Sequence, residues 1–396
     1  MTDCPYKRHH LTRRDFLHGM GIAAAGLVVA GCQPQSTLNP TAQPTAAQLA
    51  TADPTAAQPT AAQATAVQSA EAKATVAIAK VASYEPGLVK QQVQAVLDGI
   101  GGIADVLAHG NKVAIKVNLT GGVTAAPLPG IPEIESYLTH PEVVRALIEL
   151  LRDAGVKDIY IVEAAYEPAS WTKYGFVDMA KATGATIVDL TNPEPYKDFA
   201  STPVAGPGDP FIYDKFTFNP ILQEVDAFIS VPKMKCHNVC GVTNAMKNLV
   251  GLVPYRFYSL NFGDKYRSSF HGQQDEMKHR LPRVVIDLNR ARPVNLALTD
   301  AIFTCEGGEG PWITGQVKQV KVGILVAGKD PVATDAVAAA CMGFDPATDY
   351  NKAPFLNADN HLNIAASLGM GTNRLAEIKV VGAAIDEVKK PFKPSV

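Results

Sequence analysis

From Thr75 onward, short β-branched runs alternate with longer stretches of helical period, and this alternation confines the body of the chain to one class of fold. Strand candidates are residues 76–81, 112–117, 158–162, 185–188, 227–231, 294–298 and 323–327. These runs are apolar almost throughout, as strands covered on both faces must be. Between them, residues 141–154 place Val144, Leu147, Ile148 and Leu151 at spacings of three and four, one face of a helix. Thr139-His140-Pro141-Glu142 supplies a cap and a first-turn proline for that helix, and residues 331–342 begin in the same manner after Lys329-Asp330. The expectation is an α/β fold over residues 75–396, with a mainly parallel β-sheet flanked by helices. Strand order is not legible at this level.

The first 74 residues follow other rules. Arg13 and Arg14 stand in Leu11-Thr12-Arg13-Arg14-Asp15-Phe16-Leu17, behind a basic stretch containing Lys7, Arg8, His9 and His10. Small uncharged residues follow from Gly19 to Ala30, and then Val29-Ala30-Gly31-Cys32. A basic region, a short apolar region and small residues before a cut are the parts of a signal peptide. The apolar region is about a dozen residues, short of the roughly 20 that a spanning helix needs. Paired arginines before a bulky apolar pair point to the twin-arginine export route. Val-Ala-Gly-Cys resembles the lipobox of bacterial lipoproteins, which implies acylation of Cys32. Residues 1–32 are therefore expected to be a twin-arginine lipoprotein signal, the alternative being an ordinary secreted protein with a chance cysteine near the cut. Residues 33–74 are mostly Ala, Thr, Gln and Pro, with repeats such as Pro54-Thr55-Ala56-Ala57-Gln58. Such a segment has too little apolar surface to offset the entropy of ordering and reads as a disordered stalk. Together these features place the protein outside the cytoplasm, anchored by the Cys32 lipid to the outer face of a bacterial membrane.

Composition narrows the partners. With 47% hydrophobic and 19% charged residues and a net charge of -2, the chain has no nucleic-acid-binding character. No later run is long and apolar enough to span a bilayer. Of six cysteines, Cys236, Cys240, Cys305 and Cys341 would remain after processing, too few for a disulfide framework in so large a body.

The run Val231-Pro232-Lys233-Met234-Lys235-Cys236-His237, continued by Gly241-Val242-Thr243-Asn244-Ala245-Met246-Lys247-Asn248-Leu249-Val250-Gly251, resembles the signature of the family catalogued as domain of unknown function 362. Ile115-Lys116-Val117-Asn118-Leu119, Thr139-His140-Pro141-Glu142-Val143-Val144 and Ala327-Gly328-Lys329-Asp330-Pro331-Val332-Ala333-Thr334-Asp335 also match it, so the resemblance spans the body. It implies a fold and a site more than a reaction, because the family has no settled activity. Many members carry ferredoxin-like iron–sulfur modules, but no C-x-x-C-x-x-C spacing occurs here. Members usually have a hydroxyl residue where this chain has Cys236.

The same residues read physically as a site beyond the strand ends, where open α/β sheets bind ligands. Lys116 and Asn118 follow one apolar run; Lys233, Lys235 and His237 follow another. A helix over residues 241–251 would place Thr243 one turn from Lys247 and Asn244 one turn from Asn248. Lys116, Asn118, Lys233, Lys235, Thr243, Asn244, Lys247 and Asn248 are thus expected to bind an anionic small molecule such as a phosphate or carboxylate. The bland alternative is that the lysines are solvated surface charges. Glu163 and Asp300 close further strands, and the glycine-rich run 305–311 follows Asp300. Asp335, in a first helical turn, reads as structural. Lys235, His237 and His271 are the candidate proton-transfer groups, and His361 lies in a polar loop. Cys236, His237 and Cys240 form a possible soft metal set, against the alternatives of a Cys236–Cys240 disulfide or two separate buried thiols. The expected function is an exported, lipid-anchored protein with a basic strand-end site. The alternatives are a non-catalytic binding lipoprotein, or a redox protein with a metal or iron–sulfur site. Whether it is an enzyme, which cofactor it uses and which proteins it meets are left open.

Overall fold

In a computed structural model of the chain, residues 72–396 are described apart from positions 109, 265 and 314. Arg13, Arg14, Cys32 and the expected signal and stalk lie outside these residues. Twelve strands form: β1 (Ala74–Lys80), β2 (Lys112–Lys116), β3 (Asp158–Glu163), β4 (Thr186–Asp189), β5 (Ala200–Pro203), β6 (Lys215–Phe218), β7 (Ala227–Ser230), β8 (Lys233–His237), β9 (Gly241–Thr243), β10 (Leu296–Glu306), β11 (Lys318–Gly328) and β12 (Ile378–Gly382). All but β5 and β6 join one sheet in the order β12-β1-β11-β10-β7-β2-β3-β4, with β8 against β10 and β9 against β8. Only the β1–β11, β10–β11 and β8–β9 pairings of this sheet are antiparallel. The expected mainly parallel sheet is therefore present.

Helices α1 (Pro86–Gly99), α2 (Pro141–Asp153) and α3 (Phe176–Thr183) pack on one face, and α4 (Met277–Ala291), α5 (Pro331–Cys341) and α6 (His361–Ser367) on the other. The period of two along β2 shows how the strands serve both faces: Val113 and Ile115 enter the first core, Ala114 the second. The helix starts are capped as the sequence suggested, with His140 Nδ1 accepting from the Glu142 N–H and the Asp330 carboxylate from Val332 and Ala333. Among the described residues, the buried residues of the two cores lie between Val76 and Phe392. Among the described residues no helix is long and apolar enough to cross a membrane.

What positions the candidate site is the length of β10. Its first residues pair with β7, through Leu296 and Ala297, and its later ones with β8, at Asp300 and Cys305. Asp300 therefore lies inside a strand and does not close one. The chain steps from β7 to β8 at Val231-Pro232, where the Pro232 carbonyl accepts from the Asp300 N–H at 2.9 Å. The β8 strand thus runs on past Lys116 and Ser230, the last residues of β2 and β7. Gly241, at φ +72°, begins β9, and a Cβ there would lie 2.9 Å from the Pro354 carbonyl oxygen. The expected helix over residues 241–251 does not form as such. Val242 and Thr243 pair as strand with Cys236 and Lys235, and only a 3-10 segment, Lys247–Leu252, follows. β-Branched residues beside a partner strand outweigh the helical spacing of the apolar positions.

Candidate functional site

Four buried lysines at the strand ends divide into two kinds. Lys116 Nζ donates to Glu163 at 2.9 Å, to the Val117 carbonyl at 2.7 Å and to Asn248 Oδ1 at 3.3 Å. Asn248 in turn donates to the Lys116 carbonyl and to Ser230 Oγ, closing the network. Gly251 packs so tightly on this pair that a Cβ would lie 2.1 Å from Glu163 Oε1 and 2.7 Å from Lys116 Nζ. Lys233 Nζ is 2.7 Å from Asp300 Oδ2, and reaches Tyr84 Oη at 2.8 Å and the Ile134 and Phe303 carbonyls at 3.0 Å. Tyr84 and the backbone N–H groups of His140 and Ile302 complete the Asp300 carboxylate. Lys116, Lys233 and Asn248, expected as ligand groups, are thus saturated by their own protein. Asn118 is only partly engaged: its backbone bonds to Thr139 and its Oδ1 accepts from the Thr120 N–H, while its amide nitrogen makes no hydrogen bond with any described residue. The solvated-surface alternative fails equally, since Lys116 and Lys233 are fully buried.

Lys235 and Lys247 are different. Lys235 is buried and donates one hydrogen bond, to the Tyr137 carbonyl at 2.7 Å. The register explains the contrast: β10 places Asp300 beside Lys233 but Cys305 beside Lys235. Lys247 is buried and makes no hydrogen bond or ion pair with any described residue. Glu309 is the carboxylate felt by both, but its oxygens already accept from the Asn238 N–H and Trp312 Nε1, each at 2.9 Å. Burial pushes the Lys235 amine down to about 8 and lowers Lys247 as well.

Around these cations sit polar groups without partners. Thr243, opposite Lys235 across the β8–β9 pair, has an unbonded buried hydroxyl, and both amide atoms of Asn244 are unbonded. The ring of His237 accepts the Val239 and Cys240 N–H groups at Nδ1, both at 3.1 Å, which leaves the proton of the neutral ring on Nε2. Burial holds the His237 imidazolium well below its ordinary range, helped by Lys247, His271, Lys235 and His361. His271 is lowered to about 4 and His361 to about 3, each by burial and then by Lys247. Neither nitrogen of His361 has a partner. His361 comes from α6, far along the chain, and its polar-loop surroundings in the sequence carried no signal of this role. The result is a buried group of two unpaired cations, three neutral imidazoles, a hydroxyl and an amide. The open clefts beside Lys80 and Glu387 contain none of these residues.

The soft metal set does not assemble. Cys236 and His237 are neighbours on a strand and project to opposite sides. Cys236 Sγ donates to the Lys393 carbonyl at 3.2 Å, and His237 Nδ1 is occupied by two N–H groups. Among the described residues, no three His, Cys, Asp or Glu side chains are placed to share a metal ion. All four thiols are free and buried, so the Cys236–Cys240 disulfide is absent too. Burial pushes the Cys240, Cys305 and Cys341 thiols up to about 12.

Asp335 holds the backbone beneath the site. From α5 it accepts the Ala245 and Met246 N–H groups at 2.7 and 2.9 Å. Burial raises its carboxyl from 3.8 to about 7 against these two bonds. The folded state then binds the proton more tightly than the unfolded state, so this group's contribution to stability falls as pH rises from 3.8 to about 7. Asp335→Asn is expected to remove that fall. Urea midpoints of both proteins across this range would check it; parallel pH curves would refute it.

Comparison with known proteins places these residues in context. The family model described as "Domain of unknown function (DUF362)" matches residues 113–340, which include Lys116, Lys233, Lys235, Lys247 and Asp335 but not His361. A thylakoid-associated protein of Synechocystis sp. is 26% identical over 327 residues, covering 80% of this chain and 89% of that protein. Among solved structures, the lactate racemase apoprotein of Thermoanaerobacterium thermosaccharolyticum aligns at a TM-score of 0.35 and 11% identity, over 63% of this chain and 54% of that one. A Thermotoga maritima protein aligns at 0.33 and 10%, over 64% and 57%. The chain thus spans little more than half the length of either solved protein.

Proposed function

The chain belongs to the domain of unknown function 362 family, and from that premise we propose that it is an exported, lipid-anchored protein whose strand-end chamber binds an anionic small molecule. The observation that carries this reading is the pair Lys235 and Lys247, buried beside three neutral histidines with no ion-pair partner among the described residues, the Glu309 carboxylate that both feel being bonded to Asn238 and Trp312 instead. A buried cation without a counter-charge costs several kcal/mol, and an anion entering the chamber would offset that cost. Thr243 and Asn244 would bond the remainder of the ligand. Export by the twin-arginine route, acylation at Cys32 and a stalk over residues 33–74 complete the proposal, on the sequence features above. The Synechocystis relative is named for association with a membrane system, which is in keeping with a membrane location.

Titration calorimetry of residues 72–396 with inorganic phosphate and with short carboxylates tests the site. Lys247→Met and Lys235→Met are each expected to weaken binding at least about tenfold, about 1.4 kcal/mol. An anion stabilises the protonated amine, so affinity should fall as pH rises above about 8, with proton uptake on binding near that pH. Binding unchanged in both variants would remove the proposal.

A second reading, proton transfer on the bound anion, rests on one specific observation. Lys235 lies near 8 and precedes His237, a neutral imidazole, by two residues on the same face of β8, so the Lys235 amine can give or take a proton near neutral pH. Exchange of a ligand C–H with deuterated water would distinguish this from simple capture.

A further inference from the structure

Asn244 stands in a stretch of backbone that its surroundings hold closely. Asp335 accepts the Ala245 and Met246 N–H groups, Ser230 Oγ donates to the Ala245 carbonyl at 3.1 Å, and Asn289 Nδ2 donates to the Met246 carbonyl at 3.0 Å. The Asn248 N–H donates to the Asn244 carbonyl at 3.1 Å, closing a turn that carries Lys247. None of these bonds uses the Asn244 side chain. It is fully buried, and neither its amide nitrogen nor its Oδ1 bonds any described residue. The hydroxyl of Thr243 beside it is in the same condition. So are both ring nitrogens of His361, which is fully buried and packs edge-on to Phe355. A buried polar group without a partner costs free energy that an apolar residue of the same size would not. For the turn alone, leucine and valine would serve better at positions 244 and 243.

The open donors and acceptors define what these side chains are for. Lys235 uses one of its N–H donors on the Tyr137 carbonyl, Lys247 uses none on any described residue, and His237 presents its Nε2–H. These suit the oxygens of an acid group. Asn244 Oδ1, by contrast, can only accept, and a neutral His361 has one bare nitrogen beside its N–H. An oxyanion has no hydrogen to give, so on entering it would displace water from these acceptors and leave them unpaired. A ligand with its own donor completes the set. An ammonium donor is disfavoured next to two lysine cations. A hydroxyl both gives and accepts, matching the donor-and-acceptor pairs of an amide and an imidazole. We propose that the ligand is a hydroxylated organic anion, with its acid group on Lys235 and Lys247 and its hydroxyl bonded by Asn244 and His361. This rests on the anion reading of the same chamber and narrows it: inorganic phosphate and simple carboxylates fill only half of the site.

Calorimetric titration of the protein with matched acids, glycolate against acetate and malate against succinate, isolates the hydroxyl. Each hydroxylated acid is expected to bind at least about tenfold more tightly than its partner, since a site built to bond a hydroxyl penalises its absence. Asn244→Leu is expected to cut that preference to less than about threefold. Without ligand, this variant and Thr243→Val should melt no lower than wild type, because each removes a buried group that has no partner to lose. Equal affinities within both pairs, an undiminished preference in Asn244→Leu, or a lowered melting temperature in both variants would overturn the proposal. Failure of the anion reading looks different: no acid of either pair would bind, or Lys247→Met would bind them all as tightly as wild type. Equal binding within the pairs that Lys247→Met still weakens would sink the hydroxyl and leave the anion.

Discussion

Replacing Asp300 with alanine is expected to destabilise the body by about 3–5 kcal/mol, a large share of the roughly 5–15 kcal/mol typical of a folded domain. The reason is the chemistry left behind. Lys233 would keep its Tyr84 and carbonyl partners but lose the one ion-pair partner it has among the described residues, 2.7 Å away, at a fully buried position. Tyr84 and the His140 and Ile302 N–H groups would lose their acceptor at the same time. Adding Lys233→Met removes the stranded charge, so the double variant should recover part of the loss despite carrying one more substitution. Urea unfolding of the single and double variants measures both terms. A cost below about 1 kcal/mol for Asp300→Ala would mean that the pair is not the buried ion pair described above.

The second large effect concerns export. Arg13→Lys with Arg14→Lys preserves charge while removing the planar guanidinium groups, and the two side chains are not interchangeable where that geometry is read. This double variant is expected to accumulate almost entirely as uncleaved precursor inside the cell. If Cys32 carries the proposed lipid, Cys32→Ser should instead be exported and lose its membrane attachment. Cell fractionation with immunoblotting separates the outcomes. Efficient export of the lysine variant would exclude the twin-arginine route, and a membrane-bound, unacylated wild type would exclude the lipid anchor.

The apolar strands of the sheet could be read from the sequence because covering both faces leaves continuous runs such as those of β2 and β7. β8 was harder, since Lys233, Lys235 and His237 alternate with Met234 and Cys236, and its lysines are buried only because other segments meet them. The signature segment contains Lys233, Lys235 and Lys247, but which of these lysines are paired and which are not was hidden. Whether a lysine on β8 is paired depends on its register with β10, which sets Asp300 against Lys233 and Cys305 against Lys235. No local pattern encodes that register. The segment after Gly241 misled for a related reason: its apolar spacing suits a helix, but cross-strand pairing and the Asp335 carboxylate from α5 fix its backbone. The metal set failed because closeness in sequence along a strand puts adjacent side chains on opposite faces.

The manner in which β8 is held also bears on how a ligand could reach lysines buried this deeply. Beyond the ends of β2 and β7, β8 is paired to β10 only at Asp300 and Cys305 and otherwise to the three-residue β9. So few rungs can part while the rest of the sheet stays closed, and local opening of this kind takes less free energy than global unfolding. The lysine pair would then be reached by breathing of the β8–β9 hairpin through transient states, with admission governed by how often those rungs separate. Amide hydrogens of this hairpin would exchange faster than those of β2 and β3, and an occupied chamber would slow them.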